Sequence, residues 1–229
     1  MPAPRNPFIV IEALDAGGSQ TQTDRLAQRL KEEGYMVLQL HFPQEDRATG
    51  QLIYEKFLHD PRAHFTRREQ ALLYLQDFFS RAEDITAVLS PSSEGEIKRG
   101  SNRVVVSDRF YTSTLAYQTI GLTGRRRRAV INWIKWLARH GTPRLPLPDL
   151  VILLDTPVDI SLRHLKGKKK DHFENRQKLT AIRRSYRRLA AAENWTVVSS
   201  ADAAGNQRSI ADIHADIWQH ASRLLISTR

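Results

Sequence analysis

Phe8-Ile9-Val10-Ile11-Glu12-Ala13-Leu14-Asp15-Ala16-Gly17-Gly18-Ser19-Gln20-Thr21-Gln22, continued by Thr23 to Glu33, decides the fold class of this chain. Phe8–Ile11 is a short, continuous apolar run, the pattern of a strand buried on both faces. Thr23 to Glu33 is charged and amphipathic, as a surface helix is. A strand, a Gly-bearing turn and a helix in that order aim backbone N–H groups and a helix N-terminus at one point, which suits a phosphate. The full pattern of such a loop is G-x-x-x-x-G-K-[ST], in which Lys reaches the terminal phosphates and the hydroxyl holds Mg²⁺. Its anchors fall here on Ala13, Gly18, Ser19 and Gln20, and only Gly18 is retained. The geometry of a phosphate cradle is kept and its cation is lost.

Working outward, four more apolar runs have the same character: Met36–Leu40, Val104–Val106, Leu150–Leu154 and Thr196–Val198. Helical periodicity fills Asp24–Glu33, Arg68–Ser80, Arg126–Arg139, Val158–Leu165, Arg176–Ala192 and Ile210–Leu225. Strands alternating with helices predict an α/β fold, a doubly wound parallel five-stranded sheet. Sites in such sheets lie beyond the carboxyl ends of the strands. That rule singles out Gly17-Gly18, His41-Phe42-Pro43, Ser107-Asp108-Arg109 and Asp155-Thr156-Pro157. No linker, repeat or low-complexity tract divides residues 1–229, which read as one domain.

The 229 residues, 41% of them apolar and 26% charged, suit one sizeable globular core. With no cysteine, disulfides and thiolate metal sites are excluded. The eight histidines show no zinc-ligand spacing. Met1–Pro7 lacks the apolar core of a signal peptide and no run approaches a membrane span, so a cytoplasmic protein is expected. The net charge of +10 favours polyanionic partners. Its basic residues cluster at Arg125–Arg128, Lys166–Lys170 and Arg183–Arg188 without forming one stripe. That distribution fits solvated faces and a phosphate pocket better than a nucleic-acid surface.

Asp108-Arg109-Phe110-Tyr111-Thr112-Ser113-Thr114-Leu115-Ala116-Tyr117-Gln118 closely resembles the thymidylate kinase signature, Asp-Arg-Tyr/Phe, then Ser, then Ala-Tyr-Gln. Ile11 to Gly18 resembles that family's Ile-Glu-Gly-x-Asp-Gly-x-Gly, and Thr21-Gln22 matches the family's continuation into the helix. Phe42-Pro43, Leu72-Leu73-Tyr74, Pro148-Asp149-Leu150 through Leu154-Asp155-Thr156-Pro157, Asp171-His172-Phe173-Glu174 and Ile217-Trp218 are similar to further family segments, in order. The resemblance implies a P-loop nucleoside monophosphate kinase fold and a homodimer. It also implies transfer of the ATP γ-phosphoryl group to dTMP with Mg²⁺. It assigns Ala16, Gly17, Gly18, Ser19, Gln20 and Thr21 to the ATP phosphates, with Asp108 and Thr21 as candidates for Mg²⁺. Asp15, Phe42, Pro43, Arg47, Tyr74, Phe78, Arg109, Ser113, Tyr117 and Gln118 are expected around the acceptor. Arg109 forks onto the monophosphate, a geometry Lys does not copy. Asp15 holds the sugar or the metal's water shell, and Tyr74 stacks on the base.

The departures from the family pattern cluster on cations. Ser19 stands for Lys, Gln20 for Ser or Thr, Glu45 for Arg, Phe78 for the base-reading Arg and His172 for the lid Arg. Lys168, Lys169 and Lys170, in a lid around residues 164–176, are candidate catalytic replacements, as are Arg25 and Arg163. Losing one preorganised donor typically costs about 10²–10³ in rate, which another cation can restore. Three readings stay open: an active dTMP kinase, a silent nucleotide-binding homologue, and a kinase for another (deoxy)nucleoside monophosphate.

Overall fold

The computed structural model describes residues 5–60, 62–90, 102–166 and 175–227. Five strands form one parallel sheet: β1 (Phe8–Ala13), β2 (Met36–His41), β3 (Arg103–Asp108), β4 (Leu150–Asp155) and β5 (Thr196–Ser199), in the order β2-β3-β1-β4-β5. Each expected apolar run is the core of a strand. Every residue of β1 is buried, and alternate side chains feed two separate cores. Phe8 and Val10 join Val105, Val151 and Leu153 on one face. Ile9, Ile11 and Ala13 join Val104, Val106, Ile152 and Leu154 on the other. Period-two alternation over a doubly covered sheet makes the apolar runs continuous.

Helices α1 (Ser19–Glu32) and α9 (Ile210–Ser227) cover the second face through Leu26, Leu30, Ile213 and Ile217. The first face carries α3 (Arg67–Phe79), α4 (Ala82–Leu89), α5 (Tyr111–Gln118), α6 (Gly124–His140) and α8 (Arg176–Glu193). Helix α2 (Ala48–Ile53) runs into a π-helical turn, Tyr54–Leu58, and α7 (Val158–His164) follows β4. Periodicity does not reveal α5, because Tyr111 through Ala116 are all buried and no polar stripe remains. Helix α3 starts at a capping box in which Thr66 and Glu69 exchange hydrogen bonds, which fixes its first turn.

Chain order reverses between β1 and β3, because the chain leaves β1 for the edge strand β2 and returns through β3 before crossing to β4. A crevice opens at the carboxyl ends of strands where such a reversal occurs. The loop after β2 is tied down beside it. Gln44 donates from its backbone N–H to Asp77 Oδ2 at 3.0 Å and from Nε2 to Asp77 Oδ1 at 3.1 Å. Thr49 Oγ1 donates to the same carboxylate at 2.6 Å. Gly50 is required there, since a Cβ would sit 1.9 Å from the Gln44 carbonyl oxygen. Among the described residues, no helix is long and apolar enough to cross a membrane.

Candidate active site

A cleft of about 810 Å³ crosses the carboxyl ends of the strands. One wall is the loop after β1, from Leu14 through Gln22. The segments after β2 and β3 and the side chains of Tyr54, Tyr74 and Phe78 form a second wall, and α7 with Ser200, Gln207 and Ile210 forms a third.

The loop is closed by the Gly17 N–H donating to the Leu14 carbonyl at 2.9 Å. Gly18 is the N-cap of α1 with φ 95°, a left-handed conformation that glycine adopts without strain. No side chain caps this helix and its first turn holds no acid, so the helix N-terminus presents free N–H groups and positive partial charge to the cleft. Ser19 begins the helix, nearly buried, and lines the cleft with Ala16, Gly17, Gly18, Gln20 and Thr21.

Opposite lies a polar cluster built on β1 and β3. Arg109 follows β3 with φ 64°, held there by its N–H donating to the Ile11 carbonyl at 3.0 Å and by Ser107 Oγ donating to its carbonyl at 2.6 Å. Its Nη2 pairs with Asp15 Oδ1 at 2.7 Å, and its Nη1 lies 3.4 Å from both the Tyr117 and the Tyr186 hydroxyl oxygens. The Tyr117 hydroxyl lies 2.9 Å from both Asp15 oxygens. Burial by itself lowers the pKa of Arg109, but Tyr117, Asp15, Tyr186 and Asp108 together outweigh it and raise the value well above that of a free guanidinium. The charge of Arg109 is permanent.

Beneath Arg109 lies Glu12, an ionisable side chain that is fully buried. Its carboxylate accepts from the Phe110 N–H at 3.1 Å, from Tyr186 Oη at 2.9 Å, and from the Thr112 and Ser113 hydroxyls. Desolvation pushes its pKa up, and the hydrogen bonds from Ser113 and Thr112, the Arg109 charge and Tyr186 pull against that shift. Glu12 therefore fixes the start of α5 and, through Tyr186, one side of Arg109. One signal for it was present in the sequence: a lone acid inside an apolar strand.

Asp108 ends β3 opposite His41 at the end of β2, and His41 Nδ1 donates to Asp108 Oδ2 at 2.8 Å. The other oxygen, Oδ1, is buried with no hydrogen-bond partner among the described residues. Asp108 lines the cleft, and a hard carboxylate with an unpartnered oxygen suits Mg²⁺, which is commonly held by one or two carboxylates together with substrate phosphates. Thr21 also lines the cleft, and no cluster of three metal-ligating side chains occurs among the described residues. Tyr54 stands beside them, its hydroxyl 3.4 Å from the Pro43 carbonyl and its pKa pushed up to about 12 by burial, with Glu45 adding to the shift.

Most expected site residues meet here: Asp15 through Thr21, Phe42, Pro43, Tyr74, Phe78, Asp108, Arg109, Ser113 and Tyr117 all line the cleft. Two do not. Arg47 is the N-cap of α2, and the Gln44–Asp77 ties turn it towards α4, where it pairs with Asp84 at 3.6 Å. Gln118 is buried one helical step past Tyr117, its Nε2 facing Gln70 Oε1 at 3.4 Å. Ser113 and Tyr117, four apart, share the cleft face of α5, whereas Gln118 is rotated about 100° towards α3. Arg25 and Arg163, both exposed, do not line the cleft either. Lys168, Lys169, Lys170 and His172, with the rest of 167–174 in the expected lid, lie outside the described residues. Phe78 lines the cleft only from within an aromatic cluster, edge-on to Phe42 at 4.8 Å and to Phe110 at 5.3 Å. Sequence reasoning put Thr156 at a strand end and His164 at the edge of the expected lid without giving either a partner, and gave no role to Ser161 or Gln207. Their partners lie more than a hundred residues away in the chain, or in a loop with no motif of its own.

A parallel sheet in this strand order, with an uncapped helix N-terminus facing an arginine–carboxylate cluster, is the architecture of nucleoside monophosphate kinases. The solved thymidylate kinase of Candida albicans superposes with a TM-score of 0.73 at 20% identity, over 96% of this chain and 92% of that one. The thymidylate kinase family model matches residues 11–217, and this chain belongs to that family. A probable thymidylate kinase of Thermococcus gammatolerans is 34% identical over 218 residues, covering 92% of this chain and 93% of the relative. The thymidylate kinase of a Synechococcus species is 32% identical over 212 residues, covering 92% of both.

Proposed function

We propose that this chain is an active dTMP kinase, transferring the γ-phosphoryl group of ATP to dTMP to give ADP and dTDP. The observation that carries the reading is the Arg109–Asp15–Tyr117 cluster, set across one cleft from the phosphate loop Ala16–Thr21. Arg109, already oriented by Asp15, directs its remaining N–H groups at the acceptor phosphate. Asp15 receives a sugar hydroxyl, and Tyr74 and Phe78 give the base an aromatic wall. The loop N–H groups and the N-terminus of α1 hold the ATP phosphates. An oxygen of the dTMP phosphate attacks the γ-phosphorus, the bond to the β,γ-bridging oxygen breaks, and ADP departs with the electron pair. Little beyond positioning and charge is required of the protein. Asp108 and Thr21 would hold Mg²⁺, which would neutralise charge on the ATP phosphates. The chain acts as a homodimer in the cytoplasm.

A coupled ADP-release assay over a panel of deoxynucleoside and nucleoside monophosphates tests this. The expected result is ADP release that depends on both ATP and dTMP, with dTMP the preferred acceptor. Because Phe78 offers the base an apolar edge and no charge, a different preferred monophosphate keeps the reaction and changes the acceptor. No ADP release with any of them refutes the kinase reading and leaves a silent nucleotide-binding homologue.

A further inference from the structure

Three consecutive carbonyls of the phosphate loop are each held by a side chain from the segment after β4. Ser161 Oγ donates to the Asp15 carbonyl at 2.5 Å, His164 Nδ1 donates to the Ala16 carbonyl at 2.9 Å, and Thr156 Oγ1 donates to the Gly17 carbonyl at 2.9 Å. The sheet brings them together. Ala13 pairs with Leu154 at the ends of β1 and β4, so the two chains leave the sheet side by side. Thr156 and Ser161 are buried, while His164 is half-buried and lines the cleft. From its other ring nitrogen, Nε2, His164 reaches Gln207 Oε1 at 3.1 Å on the third wall.

We propose that Thr156, Ser161 and His164 form a clamp that presets the phosphate loop for a nucleotide polyphosphate, in a chain whose loop carries Ser19 where a lysine is expected. They are positioning residues for the donor side of the reaction proposed above, and the inference rests on that reading. In a planar trans peptide the carbonyl and the following N–H point in opposite directions. Holding the Asp15 and Gly17 carbonyls therefore turns the N–H groups of Ala16 and Gly18 away from the clamping side chains. The Gly17 N–H is the exception, because it closes the turn onto Leu14. Ala16 sits at φ 52°, a conformation that an L-residue with a Cβ adopts at a cost, and its carbonyl is the one His164 holds.

The clamp matters more here than in a loop with a lysine. An ammonium on a flexible stem adjusts to the phosphates wherever they settle, whereas backbone N–H groups act only where they have been placed. Arg109 is the one Arg or Lys lining the cleft among the described residues, and Asp15 already pairs with it. Among the described residues, polyphosphate binding then falls to loop N–H groups and the helix terminus, and so to whatever fixes them.

The test is made on the 229-residue protein with ADP as the probe. His164→Leu removes the donor and keeps an apolar body, and His164→Asn returns an N–H to the Nδ1 position. Thr156→Val and Thr156→Ser form the matching pair. The clamp predicts that His164→Leu and Thr156→Val each weaken ADP binding in calorimetry by about tenfold, the effect of misplacing roughly one charge-assisted hydrogen bond. Amide hydrogen exchange in peptides covering residues 14–20 rises in the same variants. Affinity for dTMP holds within about twofold, since the Arg109 backbone is held from β1 and β3 and its side chain by Asp15, Tyr117 and Tyr186, none of them a partner of His164 or Thr156. His164→Asn and Thr156→Ser recover both readouts. Unchanged ADP affinity and exchange in folded His164→Leu overturn the clamp. So does faster exchange with unchanged ADP affinity, because binding then does not use the preset geometry. If the parent releases no ADP with any acceptor while His164→Leu still loses ADP affinity, the kinase reading fails and the clamp stands.

Discussion

Replacing Ser19 with lysine tests the charge balance of the cleft directly. Ser19 is the first residue of α1, 6% exposed, next to the left-handed Gly18 and open to the cleft. Among the described residues the cleft is lined by the carboxylates of Asp15, Glu45 and Asp108 against the single guanidinium of Arg109. A lysine at this position enters a field that is already negative and becomes more so when ATP binds. Two unit charges 4 Å apart attract by about 4 kcal/mol at an effective dielectric of ~20, and desolvation and side-chain ordering take back much of that. A charge-assisted hydrogen bond nets about 1.5–3 kcal/mol, which predicts ATP and ADP binding tighter by roughly tenfold or more. A lysine also meets charge that develops during transfer. The loss of such a donor costs about 10²–10³ in rate, so its gain raises kcat by up to about 10² in a loop not selected around it. ADP calorimetry and steady-state kinetics at saturating dTMP read the two effects, and a thermal melt confirms that the variant is folded. A folded variant identical to the parent in both places Ser19 off the phosphates and refutes the register of the loop. Weaker binding together with slower turnover means that another cation already fills that space and is repelled.

Arg109→Lys keeps a charge near Asp15 but loses the fork, so dTMP binding should weaken about 10–100-fold in calorimetry while ADP binding barely moves; equal losses for both ligands would remove Arg109 from the acceptor side. Phe78→Ala empties a site 1% exposed between Phe42 and Phe110 and should cost about 3–5 kcal/mol in urea unfolding; a loss below about 1 kcal/mol contradicts the aromatic packing. Burial raises the Glu12 pKa above its ordinary 4.5, so the folded state takes up this proton at a higher pH than the unfolded chain does. Its stability contribution is full below that ordinary value and is lost as pH rises through the folded one. Glu12→Gln cannot titrate, so parent stability minus variant stability should fall as pH rises from the ordinary carboxylate value upward in urea melts, and a difference that rises with pH would falsify the assignment.

The sheet was legible because each strand is an apolar run short enough to exclude a helix and punctuated at its end by polar or turn residues. The rule that chemistry sits beyond those ends led straight to Gly17-Gly18, Asp108 and Arg109, whereas Asp15 came only from the family resemblance. What escaped was set by direction and by distance along the chain. Gln118 belongs to the same signature as Tyr117, yet one helical step turns it towards α3, and a string of letters does not carry that rotation for a helix with no polar stripe. Arg47 was placed by counting from Pro43, whereas the neighbouring Gln44 is bound into the Asp77 carboxylate and swings the chain towards α4.

The clamp lies further still from what local pattern can show. Its donors Thr156, Ser161 and His164 meet the carbonyls of Asp15, Ala16 and Gly17 only because β4 lies beside β1, and strand order is a property of the whole sheet. Glu12 falls between the two cases. Its sequence signal, an acid within a buried strand, implies a set of donors without naming them, since a fully buried carboxylate persists only where hydrogen bonds replace its water. Those donors come from the N-cap of α5, from α5 itself and from α8. Acceptor and donor sides of the cleft are thus each organised from behind by groups that need not touch a ligand: Glu12 under Arg109, and the clamp behind the loop. Substitutions in the loop change the charge offered to ATP, whereas substitutions in these supports change where the remaining donors point. The two kinds of change separate in experiment, because only the second alters hydrogen exchange in the loop before any nucleotide is added.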